Sequence, residues 1–159
     1  MNDWVDDIAD RLDGLDETRR EFQRLRRQNA EVIRIKAPAR WSELDAAIEK
    51  SVARWMEKAE GKRERAVEFH RESDIRIAVR KSFFPQMRLN VELDLPGEAI
   101  RYSYQVQESV GGDVQQLPQE PLSFVVDPNN EVYIVHQRKV MSADETAKLL
   151  LLSVFNACS

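Results

Sequence analysis

Apolar residues in the first part of the chain recur with the period of an amphipathic helix. Between Trp4 and Lys36 there is no proline and only one glycine. The apolar positions of this stretch are spaced at helical intervals, at Val5, Ile8, Leu12, Leu15, Phe22, Leu25, Val32 and Ile33. Such spacing places these side chains on one face of a helix. The pattern therefore predicts a first long helix that ends before Pro38.

A second helix is predicted to begin near Ser42. Pro38 disfavours the helical conformation in the residue before it, which indicates a break between the two helices. Ser42 and Asp45 then have the spacing of a capping box, an arrangement found where helices begin. Apolar residues follow at helical intervals, at Leu44, Ile48, Val52, Trp55, Met56, Ala59, Val67 and Phe69. We therefore expect this second helix to extend into residues 71–73.

The two predicted helices would form an antiparallel hairpin over residues 1–72 if the chain turns at Pro38. At 1.5 Å per residue each helix would be about 45 Å long, which exceeds the usual width of a small domain. We therefore expect part of the hairpin to project from the domain or to pair with another chain. Positions whose numbers sum to 77 would lie side by side, and the apolar pairs formed in this way are Phe22–Trp55, Leu25–Val52, Ile33–Leu44 and Ile8–Phe69.

After residue 73 the apolar period shortens from nearly four residues to two, which is typical of β-strands. The clearest alternation flanks Pro96-Gly97, a dipeptide that favours a tight turn. The resulting β-hairpin pairs Leu93 with Ile100 on one face and sets Glu92 opposite Arg101 on the other. Together with the segments 75–80, 122–126 and 131–136, this hairpin predicts a roughly five-stranded antiparallel sheet.

The C-terminal residues predict a helix that packs on the sheet. Ser142 and Glu145 have the spacing of a capping box. The residues that follow include Leu149–Leu152, which are too many apolar side chains for one narrow stripe. The order of helices, strands and a final helix predicts a single α+β domain over residues 1–159.

Composition narrows the class of protein further. A chain of 159 residues is expected to form one domain. The acidic N-terminus does not resemble a signal peptide, and the longest apolar run is far shorter than the roughly 20 residues of a membrane span. Cys158 is the only cysteine, so an internal disulfide is excluded and a reducing compartment is expected. We expect a cytoplasmic protein that is not bound to a membrane.

Charge is unevenly distributed along the predicted hairpin. Its open end has a net charge of about −6, and the end with the turn has a net charge of about +5. Two hairpins lying antiparallel would therefore place opposite charges side by side. The candidate interface consists of Arg19, Phe22, Arg26, Arg27 and Trp55. The same charge pattern also suits the helix dipole, and that explanation stays open. The arginine-rich segment could track nucleic-acid phosphates, but the net charge of −4 argues against that class of partner.

Few residues in the chain could support catalysis or bind a metal. His70, His136 and Cys158 have no metal-ligand spacing, and no motif for a cofactor or a phosphate loop is present. A candidate polar face on the predicted sheet includes Arg88, Glu92 and Arg101. This face could bind a small anionic ligand, or its charges could simply pair with one another.

The sequence predicts a non-catalytic interaction or scaffold protein that associates with itself through the helical hairpin, most simply as a homodimer. The alternative is a small-ligand-binding protein or an enzyme. In that case its pocket would lie between the sheet and the helices, with residues 109–121 as a lid.

Overall fold

The computed structural model describes residues 3–158, and within that range the protein has an α+β fold. It begins with one long helix, α1 (Asp3–Lys58), and ends with helix α2 (Ala143–Asn156). A short 3-10 helix at Arg63–Arg65 follows α1. The strands are β1 (Val67–Ser73), β2 (Arg76–Lys81), β3 (Gln86–Asp94), β4 (Ala99–Gln107), β5 (Gln115–Pro118), β6 (Leu122–Val126), β7 (Val132–His136) and β8 (Lys139–Met141).

The predicted helical hairpin is wrong, because α1 continues through Pro38 as a single 56-residue helix. The buried residues of α1 explain why the helix does not break there. They are spaced mostly three or four positions apart on both sides of the proline, at Ile33, Ala37, Trp41, Leu44, Ala47, Ile48 and Val52. Only a continuous helix keeps all of them on the face that packs against the sheet. Tertiary packing thus outweighs the local preference of Pro38.

The second predicted helix also extends too far. Helix α1 ends at Lys58, and Gly61 follows with a φ of 78°, a left-handed conformation that glycine adopts without a steric penalty. Residues 67–73, which were predicted to be helical, form strand β1. Val67 and Phe69 fit a strand better than a helix, because side chains two positions apart lie on the same side of a strand, here the buried side of β1.

Within residues 3–158 the sheet has eight antiparallel strands rather than about five, in the order β1-β2-β3-β4-β6-β7-β8. Strands β5 and β6 both pair with β4. Strand β6 pairs with the first residues of β4, Ala99 and Ile100, and β5 pairs with residues 103–106. The strands absent from the prediction are β1, β5 and β8. The predicted β3–β4 hairpin is confirmed, with Leu93 paired to Ile100 and Glu92 opposite Arg101.

Helix α2 and the second half of α1 cover the same face of the sheet. Alternate side chains of the central strands, such as Val79 and Leu89, enter a core that also includes Leu44 and Leu150. The capping box predicted for α2 is confirmed, since the Ser142 side chain accepts a hydrogen bond from the backbone of Glu145 and the Glu145 side chain reaches back. Ser42, by contrast, lies inside α1 and begins no helix. No helix within residues 3–158 has both the length and the apolar character needed to cross a bilayer.

Tyr104 links the sheet to α2. Its side chain is 6% exposed, and its hydroxyl donates a hydrogen bond of 2.7 Å to the carbonyl oxygen of Leu150. Burial raises the pKa of Tyr104 to about 12, because the charged phenolate would be poorly solvated there. The hydroxyl therefore keeps its proton in the folded protein at pH values where the unfolded chain loses it.

We expect Tyr104→Phe to reverse its effect on stability as the pH rises. Near neutral pH the variant should be less stable by about 1 kcal/mol, because it lacks the hydrogen bond. As the pH rises from the unfolded pKa of about 10 to the folded pKa of about 12, the unfolded wild type loses the proton of Tyr104 before the folded protein does. The free energy of unfolding of the wild type should therefore fall by about 2 kcal/mol relative to that of the variant. Urea unfolding of both proteins across this pH range measures the difference. A difference in stability that stays constant up to pH 12 would contradict this prediction.

Candidate interaction surface

The first half of α1 projects from the rest of the fold. We call residues 3–32 the arm and residues 33–158 the body. Every residue from Asp3 to Glu31 is exposed except Asn29, which is partly exposed, and burial in the core begins only at Ile33. At 1.5 Å per residue the arm is about 45 Å long. The arm is thus a helix without a covering layer of its own within the described residues.

One face of the arm is apolar and exposed, and we call it the arm stripe. It consists of Trp4, Val5, Ile8, Leu12, Leu15, Phe22 and Leu25. The most exposed of these are Trp4 at 68% and Phe22 at 61%. Ile8, Leu15 and Phe22 are spaced seven residues apart, and the others flank this column. A seven-residue repeat of this kind forms the seam of helices that wrap around each other.

The side-chain contacts made by the arm are local. Glu21 pairs with Arg24, Glu31 pairs with Arg34, and Thr18 donates a hydrogen bond of 2.9 Å to the carbonyl oxygen at position 14. The arginine hydrogen bonds lower the pKa of both Glu21 and Glu31. These contacts join residues three or four positions apart, so they support the helix but do not cover its apolar face.

The arm has an acidic half and a basic half, and the basic half continues into the start of the body. Residues 3–17 include seven acidic residues and one arginine, a net charge of −6. Residues 18–36 include seven basic residues and two glutamates, a net charge of +5. The polarity predicted for the hairpin was counted over both of its helices; counted over residues 3–36 alone, an acidic segment and a basic segment follow each other along one helix.

The structure separates the residues of the predicted interface into two groups. Arg19, Phe22, Arg26 and Arg27 are exposed on the arm. Trp55 lies on the body, where its ring stacks on Phe155 with centroids 4.4 Å apart and its indole N–H donates a hydrogen bond of 2.8 Å to a backbone carbonyl. The predicted contact between Phe22 and Trp55 is wrong, because these residues are 33 positions apart on one helix, a distance of about 50 Å.

The predicted polar face lies on the side of the sheet away from the helices. Its charged residues pair with neighbours other than those the register suggested. Arg101 lies opposite Glu92 but binds Asp94 at 2.6 Å, and this arginine lowers the pKa of Asp94. Glu92 pairs instead with Arg76 at 3.4 Å. Arg88 binds Glu72. The face is a network of exposed ion pairs, so its charges already have partners.

Two shallow depressions border the loop that contains β5. One has a volume of about 280 Å³ and the other about 590 Å³. Arg88 and Gln105 line both depressions, and Arg80 lines the first. These residues alternate along the strands with core residues such as Val79 and Leu89, so the depressions open on the polar face and not between the sheet and the helices.

Two of the other residues with reactive side chains, Cys158 and Lys81, lie close enough to interact electrostatically. His70 is exposed and contacts Glu68 at 3.1 Å. Cys158 is buried, and burial raises the pKa of its thiol. Lys81 is buried, and its ammonium group donates hydrogen bonds to the carbonyl oxygens of Phe83 and Pro85, while desolvation lowers its pKa. Within residues 3–158, no three His, Cys, Asp or Glu side chains are grouped so that they could hold a metal ion.

Comparison with known proteins gives no family for this chain. No protein-family model matches it, and neither the curated proteins nor the solved structures contain a significant match. The sequence signal that identifies the arm is the stripe itself, since the helical spacing of its apolar residues can be read from the amino-acid order. Whether the sheet covers such a stripe or leaves it exposed depends on the tertiary structure.

Proposed function

We propose that this protein is a non-catalytic interaction module that associates with itself through the arm, most simply as a homodimer. The observation that supports the proposal is the exposed arm stripe, a row of large apolar side chains on a helical segment that the rest of the described chain leaves uncovered. The body supplies a stable base from which the arm projects.

The arm has the properties of a helix that requires a partner. Isolated helices are only marginally stable in water, and most helical stability in proteins comes from packing of an apolar face. Large contiguous apolar patches on the surface of soluble proteins generally mark sites of interaction. Burying the side chains of the arm stripe would contribute about 1.5–3 kcal/mol for each large residue that becomes fully covered. Association would therefore stabilise the arm and remove its apolar face from water.

A second copy of the chain is the partner that requires no further assumption. Each copy offers the same apolar stripe, and each offers both an acidic and a basic segment to the other. Such an interface is self-complementary, as a two-fold symmetric dimer demands. Exposed charge pairs add little affinity, so the arm stripe would supply most of the binding free energy.

Sedimentation at low micromolar concentration tests the proposal. We expect the wild type to be a dimer. The double variant Leu15→Ala/Phe22→Ala should raise the dissociation constant at least about 100-fold, because four apolar side chains are truncated in each dimer. The matched control is Glu17→Ala/Arg20→Ala, which changes two residues on the opposite face of the arm and leaves the net charge unchanged.

The control variant should dimerise as the wild type does. A wild type that still sediments as a monomer at about 100 μM, where even a weak dimer would be populated, would refute the proposal. So would a double variant whose dissociation constant equals that of the control. Circular dichroism above and below the dissociation constant adds a second readout, since the arm should gain helicity when the dimer forms.

A further inference from the structure

We infer that two arms pair in the antiparallel direction, in the register that sets Leu12 of one copy against Leu25 of the other and Leu15 against Phe22. This inference builds on the proposed function and adds to it the direction and the register of the partner helix. Residues that face each other have numbers that sum to 37, so the two-fold axis crosses each arm between Thr18 and Arg19.

The spacing of apolar residues is the first support for this register. In the N-terminal part of the arm the seam positions are Val5, Ile8, Leu12 and Leu15, with intervals of three, four and three. In the C-terminal part they are Phe22, Leu25, Asn29 and Val32, with the same intervals. Because the intervals read the same in both directions, one part of the arm fits the other part of an antiparallel copy.

The seam contacts extend along the whole overlap. The register also joins Val5 of one copy to Val32 of the other, and Ile8 to Asn29. Val32 is only partly buried by its own body, so it can still contact a second helix. By symmetry each match occurs twice. The overlap from residue 5 to residue 32 is about 42 Å long.

Charge is the second support, and it selects the direction. In the antiparallel arrangement the −6 segment of one copy lies along the +5 segment of the other, at both ends of the pair. A parallel arrangement would place −6 beside −6 and +5 beside +5. Apolar side chains would face one another in both the parallel and the antiparallel pair. The like charges that lie side by side in the parallel pair disfavour that arrangement.

The antiparallel register one heptad away pairs fewer of the seam residues of the arm. Shifting the copies by one heptad gives pairs whose numbers sum to 30, so that Leu15 lies against its own copy. In that register Val5 meets Leu25 and Ile8 meets Phe22, but Leu12 meets the polar side chain of Thr18, and Val32 lies beyond the described part of the other arm. The register that sums to 37 also contains one apolar–polar pair, Ile8 with Asn29, but it sets all four seam positions of each part of the arm against the seam positions of the other part.

Disulfide cross-linking distinguishes these arrangements. Each variant is made in a Cys158→Ser background, so that the introduced cysteine is the only thiol. Protein with Leu12→Cys is mixed with protein with Leu25→Cys, the subunits are exchanged in denaturant and refolded, and diamide oxidises paired thiols to disulfides. We expect the mixture to form covalent heterodimers at least about ten times faster than either variant alone forms homodimers, because facing seam residues approach within disulfide range.

Each of the other outcomes contradicts the inference and indicates a different arrangement of the two arms. Rapid cross-linking of Leu12→Cys alone indicates parallel helices. Rapid cross-linking of Leu15→Cys alone, with neither Leu12→Cys homodimers nor reaction between positions 12 and 25, indicates the antiparallel register that sums to 30. Sedimentation of each variant before oxidation tests self-association separately from the register. A dimer that does not cross-link as expected refutes only the register, whereas a monomeric wild type refutes self-association as well.

Discussion

Replacing Leu151 with alanine is expected to lower the free energy of unfolding by about 3 kcal/mol, whereas the same change at Leu152 should lower it by less than about 1 kcal/mol. The two leucines are adjacent in α2, so helix propensity and position in the chain are nearly the same for both. They differ in burial, since Leu151 is 1% exposed and Leu152 is 50% exposed. Truncating Leu151 leaves a cavity in the core that α2 forms with α1 and the sheet.

Urea unfolding of the two variants, followed by circular dichroism, measures this difference. Equal losses of stability at the two positions would contradict the way α2 packs on the sheet. The sequence alone predicted a buried helix from its run of four leucines but could not say which of them point inward. The structure answers that question, with Leu150 and Leu151 in the core and Leu149 partly buried.

Replacing Pro38 with alanine is expected to raise the free energy of unfolding by about 2 kcal/mol. Proline inside a helix removes a backbone hydrogen bond and clashes with the preceding turn, at a cost of about 3 kcal/mol relative to alanine. Proline also restricts the unfolded chain, which offsets about 0.4–1 kcal/mol of that cost. Pro38 is exposed, so its replacement disturbs no packing in the core.

Ser42→Ala provides a control that distinguishes one helix from two. Inside a continuous helix an exposed serine is slightly less favourable than alanine, so this variant should be as stable as the wild type or gain a few tenths of a kcal/mol. If a helix began at Ser42 instead, loss of its cap would cost about 0.5–2 kcal/mol. Urea unfolding of both variants measures the effects. Destabilisation by Pro38→Ala together with destabilisation by Ser42→Ala would contradict the continuous helix.

The sequence predicted the elements in which local signals and tertiary packing agree. The β3–β4 hairpin combines strict alternation with a Pro-Gly turn, and α2 begins with a capping box, so both could be recognised locally. Pro38 is the opposite case, because its local signal for a break conflicts with the buried stripe that continues on both sides. The predicted second helix extends wrongly over β1, because it continues the stripe of residues 44–59 into a segment where Val67 and Phe69 have the two-residue spacing of a strand. Strands β5 and β8 are too short to show a period at all.

The candidate site could be predicted only in part. Phe22 and the arginines around it were identified from the spacing and charge of the arm, and the structure leaves them exposed. Trp55 was assigned to the same surface only because the hairpin would have brought it there. The arm stripe and the buried apolar residues of positions 33–52 have similar helical spacing in the sequence. They differ because the sheet covers the second stripe and not the first, a property of the tertiary structure that no local pattern encodes.

The continuity of α1 has a mechanical consequence. The packing of Trp41, Leu44 and Ile48 on the sheet sets the direction in which the free end of the helix points. Because the same helix extends without interruption for about 45 Å beyond the core, the paired, fully helical arm would act as a stiff lever and not as a tether. In an assembly bridged by two such levers, the bodies would be held at a fixed spacing, and whatever each body presents would face a defined direction.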